Sequence, residues 1–200
     1  MPESKAARGG VVLVHGRGAT AESILSVVPE LAVPGLVTTA PQAPGNTWYP
    51  ESFLAPLPRN EPWLSQALGM LAHEVEQLEG QGIPRQRIAL LGFSQGACLM
   101  LEFAARNAAR YGALVGWSGG LIGPRGTPRA YAGSFQGTPV FLGCSDRDPH
   151  VPAWRVQETA EVLERMGAEV DLRLYPGLGH TVDDDELQAT RALLGRMVRG

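Results

Sequence analysis

The sequence predicts an α/β protein with a mostly parallel, doubly wound sheet flanked by helices. Three observations lead there. Short apolar, β-branched runs alternate with segments of helical period from one end of the 200 residues to the other. Strands separated by helices imply right-handed βαβ crossovers, hence parallel neighbours. One apolar run, Arg87–Leu91, ends in Gly92-Phe93-Ser94-Gln95-Gly96 and passes directly into a helical pattern. No internal repeat or linker interrupts the alternation, so residues 1–200 read as one domain.

Taken in order, Val11–Val14 is the first buried strand, ending at His15-Gly16. Ala21 to Leu31 reads as a short helix with Thr20 as N-cap and Pro34 beyond its end. Leu36–Thr39 is the second strand. Residues 41–60 are Pro-rich, and so long a loop in a compact domain is usually functional. Asn60 and Pro62 open a helix whose Leu64, Leu68, Leu71, Val75 and Leu78 recur at three and four, with His73 on its polar side and Gly80 and Gly82 as its stop. After the third strand, Arg87–Leu91, a helix apolar on most faces runs from Ala97 to about Arg110, as expected of one buried against a sheet. Ala113–Trp117 is the fourth strand, with Trp117 in the core, and Pro139–Leu142 the fifth, joined by a Gly/Pro-rich connection over 119–137. Ala153–Met166 is an amphipathic helix stopped by Gly167, Glu169–Tyr175 the last strand, and Asp184–Val198 the closing helix, acidic at its start and basic at its end.

Gly92-x-Ser94-x-Gly96 between a strand and a helix matches the nucleophile elbow of α/β-hydrolases. The glycines are there because side chains two positions either side of the serine would collide with neighbouring backbone. Ligands of such sheets sit beyond the carboxyl ends of the strands, so the residues following each strand matter most. The fifth strand is followed by Asp146 and Asp148, the sixth by Gly179-His180. With Ser94 this gives the order Ser, Asp, His. A serine hydroxyl needs a base to take its proton, and a neutral imidazole in turn needs a carboxylate to fix its tautomer. Ser94 and His180 take the first two roles. The spacing alone leaves Asp146 and Asp148 as candidates for the third, the other being a loop-capping aspartate in an Asx-turn. His15 reads as a residue that orders the first loop, and His150 lies beside the acid. The oxyanion would meet the backbone N–H of Gln95 and that of Arg17 in the loop after the first strand, the arginine side chain pointing away. Trp48, Tyr49 and Phe53 are candidates for the wall of the substrate pocket. Cys98, one helical turn after Ser94, reads as buried packing.

Bulk properties exclude several classes. A net charge of −3, with 44% hydrophobic and 18% charged residues, gives no reason to expect nucleic acid or an anionic membrane as partner. Lys5 is the only lysine, and two cysteines without metal-ligand spacing point to free thiols and no metal site. The amino-terminal residues lack a signal-peptide h-region and no run has the apolar length of a membrane helix, so a cytoplasmic location is expected.

His15-Gly-Arg-Gly, Ala40-Pro-Gln-Ala-Pro, Gly92-Phe-Ser-Gln-Gly96, Asp148-x-x-Val-Pro152 and Gly179-His180 together resemble the phospholipase/carboxylesterase family, which includes the acyl-protein thioesterases. The resemblance covers most of the chain. It implies a compact α/β-hydrolase without a cap domain, no cofactor, Ser94, Asp148 and His180 as triad, and the Arg17 and Gln95 N–H groups as oxyanion hole. Arg17 stands where the thioesterases typically have an apolar residue, and Trp48-Tyr49-Pro50 is not their usual acyl-groove sequence. Both favour a carboxylesterase acting on short- to medium-chain esters over a protein thioesterase or lysophospholipase. The expected partner is a small-molecule ester, met by a monomer or homodimer. A dienelactone hydrolase would place cysteine at 94, and a non-catalytic binding protein on this scaffold would usually lose a triad member.

Overall fold

Alternating side chains divide the sheet into two cores. Val12 and Val14 of the first strand and Ile88 and Leu90 of the third face one apolar cluster, while Val11, Leu13, Ala89 and Leu91 face another. The computed structural model describes residues 7–200; residues 1–6, on which the expectation about a signal peptide bears, lie outside the described residues.

Six strands form one parallel sheet: β1 (Gly9–Val14), β2 (Leu36–Thr39), β3 (Ile88–Phe93), β4 (Ala113–Trp117), β5 (Pro139–Ser145) and β6 (Glu169–Tyr175), in the order β2-β1-β3-β4-β5-β6. Helices α3 (Trp63–Gly80), α4 (Gln95–Arg106) and α5 (Ala153–Arg165) cover the first cluster. The short α1 (Ala21–Leu25) and α2 (Val28–Leu31), together with α6 (Asp184–Arg199), cover the second. Both faces of the central strands are therefore buried, which is why β3 is apolar without polar alternation. Each fully buried Leu or Val here contributes about 1.5–3 kcal/mol through removal from water. Trp117, at 1% exposure, lies in the second cluster, as its strand position predicts.

Several boundaries differ from the sequence pattern, each for a local reason. The segment 21–31 breaks into α1 and α2 because Pro29 has no N–H to continue the helix. Thr20 does cap the first piece, in a reciprocal box with Ser23. Helix α3 begins at Trp63 rather than at Asn60, which belongs to a 3-10 turn over Leu57–Asn60. Helix α4 starts at Gln95, immediately after Ser94, and ends four residues early because the Asn107 amide turns back to donate to the Phe103 carbonyl at 2.9 Å. β3 and β5 run on to Phe93 and Ser145, carrying the sheet up to the residues that follow.

In this strand order the chain moves outward from β1 to β2 and then returns to β3 on the other side of β1. The crevice between the carboxyl ends of β1 and β3 is the switch point of the sheet. Arg17 follows β1 and Ser94 follows β3.

Candidate active site

Ser94 occupies a backbone conformation, φ 54° and ψ −121°, that a residue with a β-carbon adopts only when its surroundings compel it. Its N–H is held by the Trp117 carbonyl at 2.9 Å, and its own carbonyl starts α4 by accepting from Cys98. The flanking glycines are sterically required. A β-carbon at Gly96 would run into the carbonyl oxygens of Val14 and His15, and one at Gly92 would lie 2.6 Å from the Ala97 nitrogen.

The Ser94 hydroxyl meets His180 Nε2 at 2.8 Å, and His180 Nδ1 meets Asp148 Oδ2 at 2.7 Å. The Asp148 side chain is fully buried. Burial pushes its carboxyl up, but the bonds from His180 and from the Val151 and His150 N–H groups outweigh it and hold the group below the usual carboxylate range. An ionised carboxylate can only accept, so a neutral His180 carries its proton on Nδ1 and presents Nε2 to the serine O–H. The His180 ring is packed between Phe93, with centroids 5.0 Å apart, and His150, edge-on at 4.7 Å.

The two aspartates after β5 have separate jobs. Asp148 Oδ1 accepts from the N–H groups of His150 and Val151 at 2.8 and 2.9 Å, so the Asx-turn expected of the other aspartate belongs to Asp148. Asp146 instead reaches across to the β6 loop and accepts from Gly177 N–H at 2.8 Å. Ser145 Oγ accepts from Gly179 N–H in the same loop. Together these bonds fix the turn that carries His180.

A cleft of about 460 Å³ opens over Ser94, walled by Tyr49, Phe53 and Val151 and rimmed by Arg17, Glu51 and His150. Of the three aromatic candidates for its wall, Tyr49 and Phe53 line this cleft and Trp48 does not. Its indole turns under the loop, donates to the His15 carbonyl at 2.8 Å and stacks near the His15 ring at 4.8 Å. His15 is fully buried, with Nδ1 on the Gly16 carbonyl and Nε2 accepting from Ala43 N–H. It ties the first loop to residues 41–60. Among the described residues, no protein acceptor takes the N–H of Arg17 or of Gln95, the latter being one of the unpaired donors at the start of α4. The exposed Arg17 side chain donates to the carbonyls of Tyr49, Pro50 and Glu51.

His150 and Glu51 are cleft residues that sequence reasoning did not place there. His150 carried one usable signal: an Asx-turn on Asp148 necessarily brings the residue two positions later back over the acid. Cys98 lies at the cleft with its sulfur accepting from Gly120 N–H, and Cys144 lies beside Asp148. Burial pushes both thiols up to about 12, so neither supplies a thiolate near neutral pH.

The parallel sheet and the sharp strand–serine–helix turn at its switch point define an α/β-hydrolase. Within that class the chain belongs to the phospholipase/carboxylesterase family, whose model matches residues 1–197. It is 30% identical over 130 residues to acyl-protein thioesterase 1 of Gibberella zeae, a match covering 62% of this chain and 54% of that protein. The matched stretch thus spans about half the length of such curated relatives. Acyl-protein thioesterase 1 of Yarrowia lipolytica is 23% identical over 94% of this chain and 91% of its own. Among solved structures, a phospholipase/carboxylesterase from Dyadobacter fermentans superposes with a TM-score of 0.91 at 45% identity, over 94% of this chain and 90% of that one. Among the described residues no helix is long and apolar enough to cross a membrane.

Proposed function

We propose that the chain is a serine carboxylesterase that hydrolyses short- to medium-chain carboxylic esters of small molecules through an acyl-enzyme on Ser94. The observation that carries this reading is the continuous hydrogen-bond chain from Ser94 Oγ through His180 to Asp148, 2.8 and 2.7 Å long, on a serine held at positive φ. In the first half-reaction Oγ attacks the ester carbonyl carbon as its proton passes to His180 Nε2. The carbonyl oxygen gains the negative charge and is received by the N–H groups of Arg17 and Gln95. Collapse breaks the bond to the alkoxy oxygen, which leaves as the alcohol with the proton from the imidazolium. Water then attacks the acyl-enzyme with His180 as base, releasing the carboxylic acid and restoring the Ser94 hydroxyl.

A cleft of about 460 Å³ with a charged and polar rim supports a small ester. The similarity to acyl-protein thioesterase 1 of two fungi supports a second reading, an acyl-protein thioesterase. Two measurements separate the possibilities. A fluorophosphonate should label the folded protein once, at Ser94, and Ser94→Ala should abolish both labelling and turnover; an unlabelled Ser94 in folded protein would sink the hydrolase mechanism. A series of p-nitrophenyl esters and matched thioesters from acetyl to palmitoyl should then give the highest kcat/KM at short to medium oxygen esters. A maximum at palmitoyl thioester would replace the first reading by the second.

A further inference from the structure

Both residues whose N–H groups are assigned to the oxyanion send their side chains into the same four-residue stretch. The Arg17 guanidinium donates to three successive carbonyls: Tyr49 at 2.8 Å, Pro50 at 3.0 Å and Glu51 at 2.9 Å. The Gln95 amide accepts from Trp48 N–H at 3.1 Å and donates to the Tyr49 carbonyl at 2.8 Å. The Tyr49 oxygen therefore receives one bond from each and joins the two residues through a single atom. A planar guanidinium with several donors suits a run of carbonyls, and an amide suits an adjacent N–H and C=O pair.

The same stretch leads into the wall of the cleft, where Tyr49 and Phe53 stand. Its far end is fixed separately. The buried Asn60 side chain bonds Glu51 N–H and the Ser52 carbonyl, and the Phe53 carbonyl accepts from Gly123. Residues 48–51 are thus the part of the wall whose position is shared with the β1 loop and the elbow.

We infer that the Arg17 and Gln95 side chains are positioning residues that lock the pocket wall over 48–53 to the two oxyanion donors, so that substrate fit and transition-state alignment change together. The inference rests on the esterase mechanism above for its kinetic consequence, but not for the lock itself. A side chain serving only as surface packing would have no reason to bind three consecutive carbonyls of one loop. A side chain serving only the wall would alter substrate binding and leave turnover of a substrate too short to reach it intact.

The test compares wild type with Arg17→Met, Arg17→Lys, Gln95→Met and the Arg17→Met/Gln95→Met double variant, on p-nitrophenyl acetate to octanoate, alongside hydrogen exchange of the Trp48, Tyr49 and Glu51 amides. In Arg17→Met, kcat on the acetate should fall about 10- to 100-fold, the range expected when reacting groups are misplaced by about 1 Å. Chain-length preference should flatten in the same variant. Arg17→Lys, able to serve only part of the carbonyl run, should recover part of kcat. The double variant should lose less than the product of the single losses, because both act through the Tyr49 carbonyl. Exchange at Trp48, Tyr49 and Glu51 should accelerate in Arg17→Met and in Gln95→Met. Unchanged exchange in Arg17→Met overturns the lock. A rise in KM alone, with kcat on the acetate intact, overturns the coupling. Should wild type hydrolyse none of the esters, the esterase reading falls, and exchange still decides the lock.

Discussion

Replacing Ser94 by glycine should make the protein more stable than replacing it by alanine. The two variants lose the same hydroxyl and the same bond to His180, 2.8 Å in wild type, so their difference isolates the backbone. At φ 54° and ψ −121° a β-carbon is strained by an amount on the order of 1–3 kcal/mol. Alanine keeps that strain and glycine releases it. Against the release stands the greater freedom glycine gives the unfolded chain, about 0.4–1 kcal/mol. The balance favours Ser94→Gly by about 1 kcal/mol, which raises Tm by about 2–4 °C relative to Ser94→Ala in a chain of this size. Calorimetry on the two inactive variants, with urea titration to check that the slope is unchanged, reads the difference directly. A glycine variant no more stable than the alanine variant would refute the idea that the fold holds Ser94 against its own preference.

Three further outcomes follow from the geometry. Asp148→Asn should cut kcat by about 10⁴ by allowing the wrong His180 tautomer, whereas Asp146→Asn, which keeps an acceptor for Gly177 N–H, should stay within a few-fold of wild type; steady-state kinetics on p-nitrophenyl butyrate tests both. Glu186, buried at the start of α6, is pushed by desolvation from its usual 4.5 to about 7, so the native state binds the extra proton between those values and stability should fall as pH rises through them, by up to about 3 kcal/mol. Urea denaturation from pH 4.5 to 7.5 should show that slope, flattened in Glu186→Gln. Gly96→Ala, whose β-carbon meets the carbonyls of Val14 and His15, should fail to present Ser94 and lose fluorophosphonate labelling; a variant labelled at the wild-type rate would contradict the steric account of the elbow.

The parts of the molecule legible in the sequence are those with a period or an order. β3 reads as a strand because both faces of Ile88–Leu91 are buried, and Ser94, Asp148 and His180 lie at the ends of three parallel strands. What escaped has no such signature. Asp146 and Asp148 differ by two positions, so their spacing leaves both open and only the family resemblance points to Asp148; in the structure Asp148 faces His180 and Asp146 faces Gly177. In the irregular loop 41–60 no period says which aromatic ring looks outward, so Trp48 turns under the loop while Tyr49 and Phe53 reach the cleft. The partners of Arg17 are backbone carbonyls, which every residue carries and no composition marks.

Rapid acid quench of p-nitrophenyl butyrate turnover, followed by peptide mass spectrometry, tests most directly whether Ser94 is the nucleophile of a two-step ester hydrolysis. A butyryl group is expected on the Ser94 peptide, formed in a burst approaching one equivalent per chain if deacylation limits turnover, and absent from Ser94→Ala. Undiminished turnover in Ser94→Ala, or an acyl group trapped on another residue, would contradict that role.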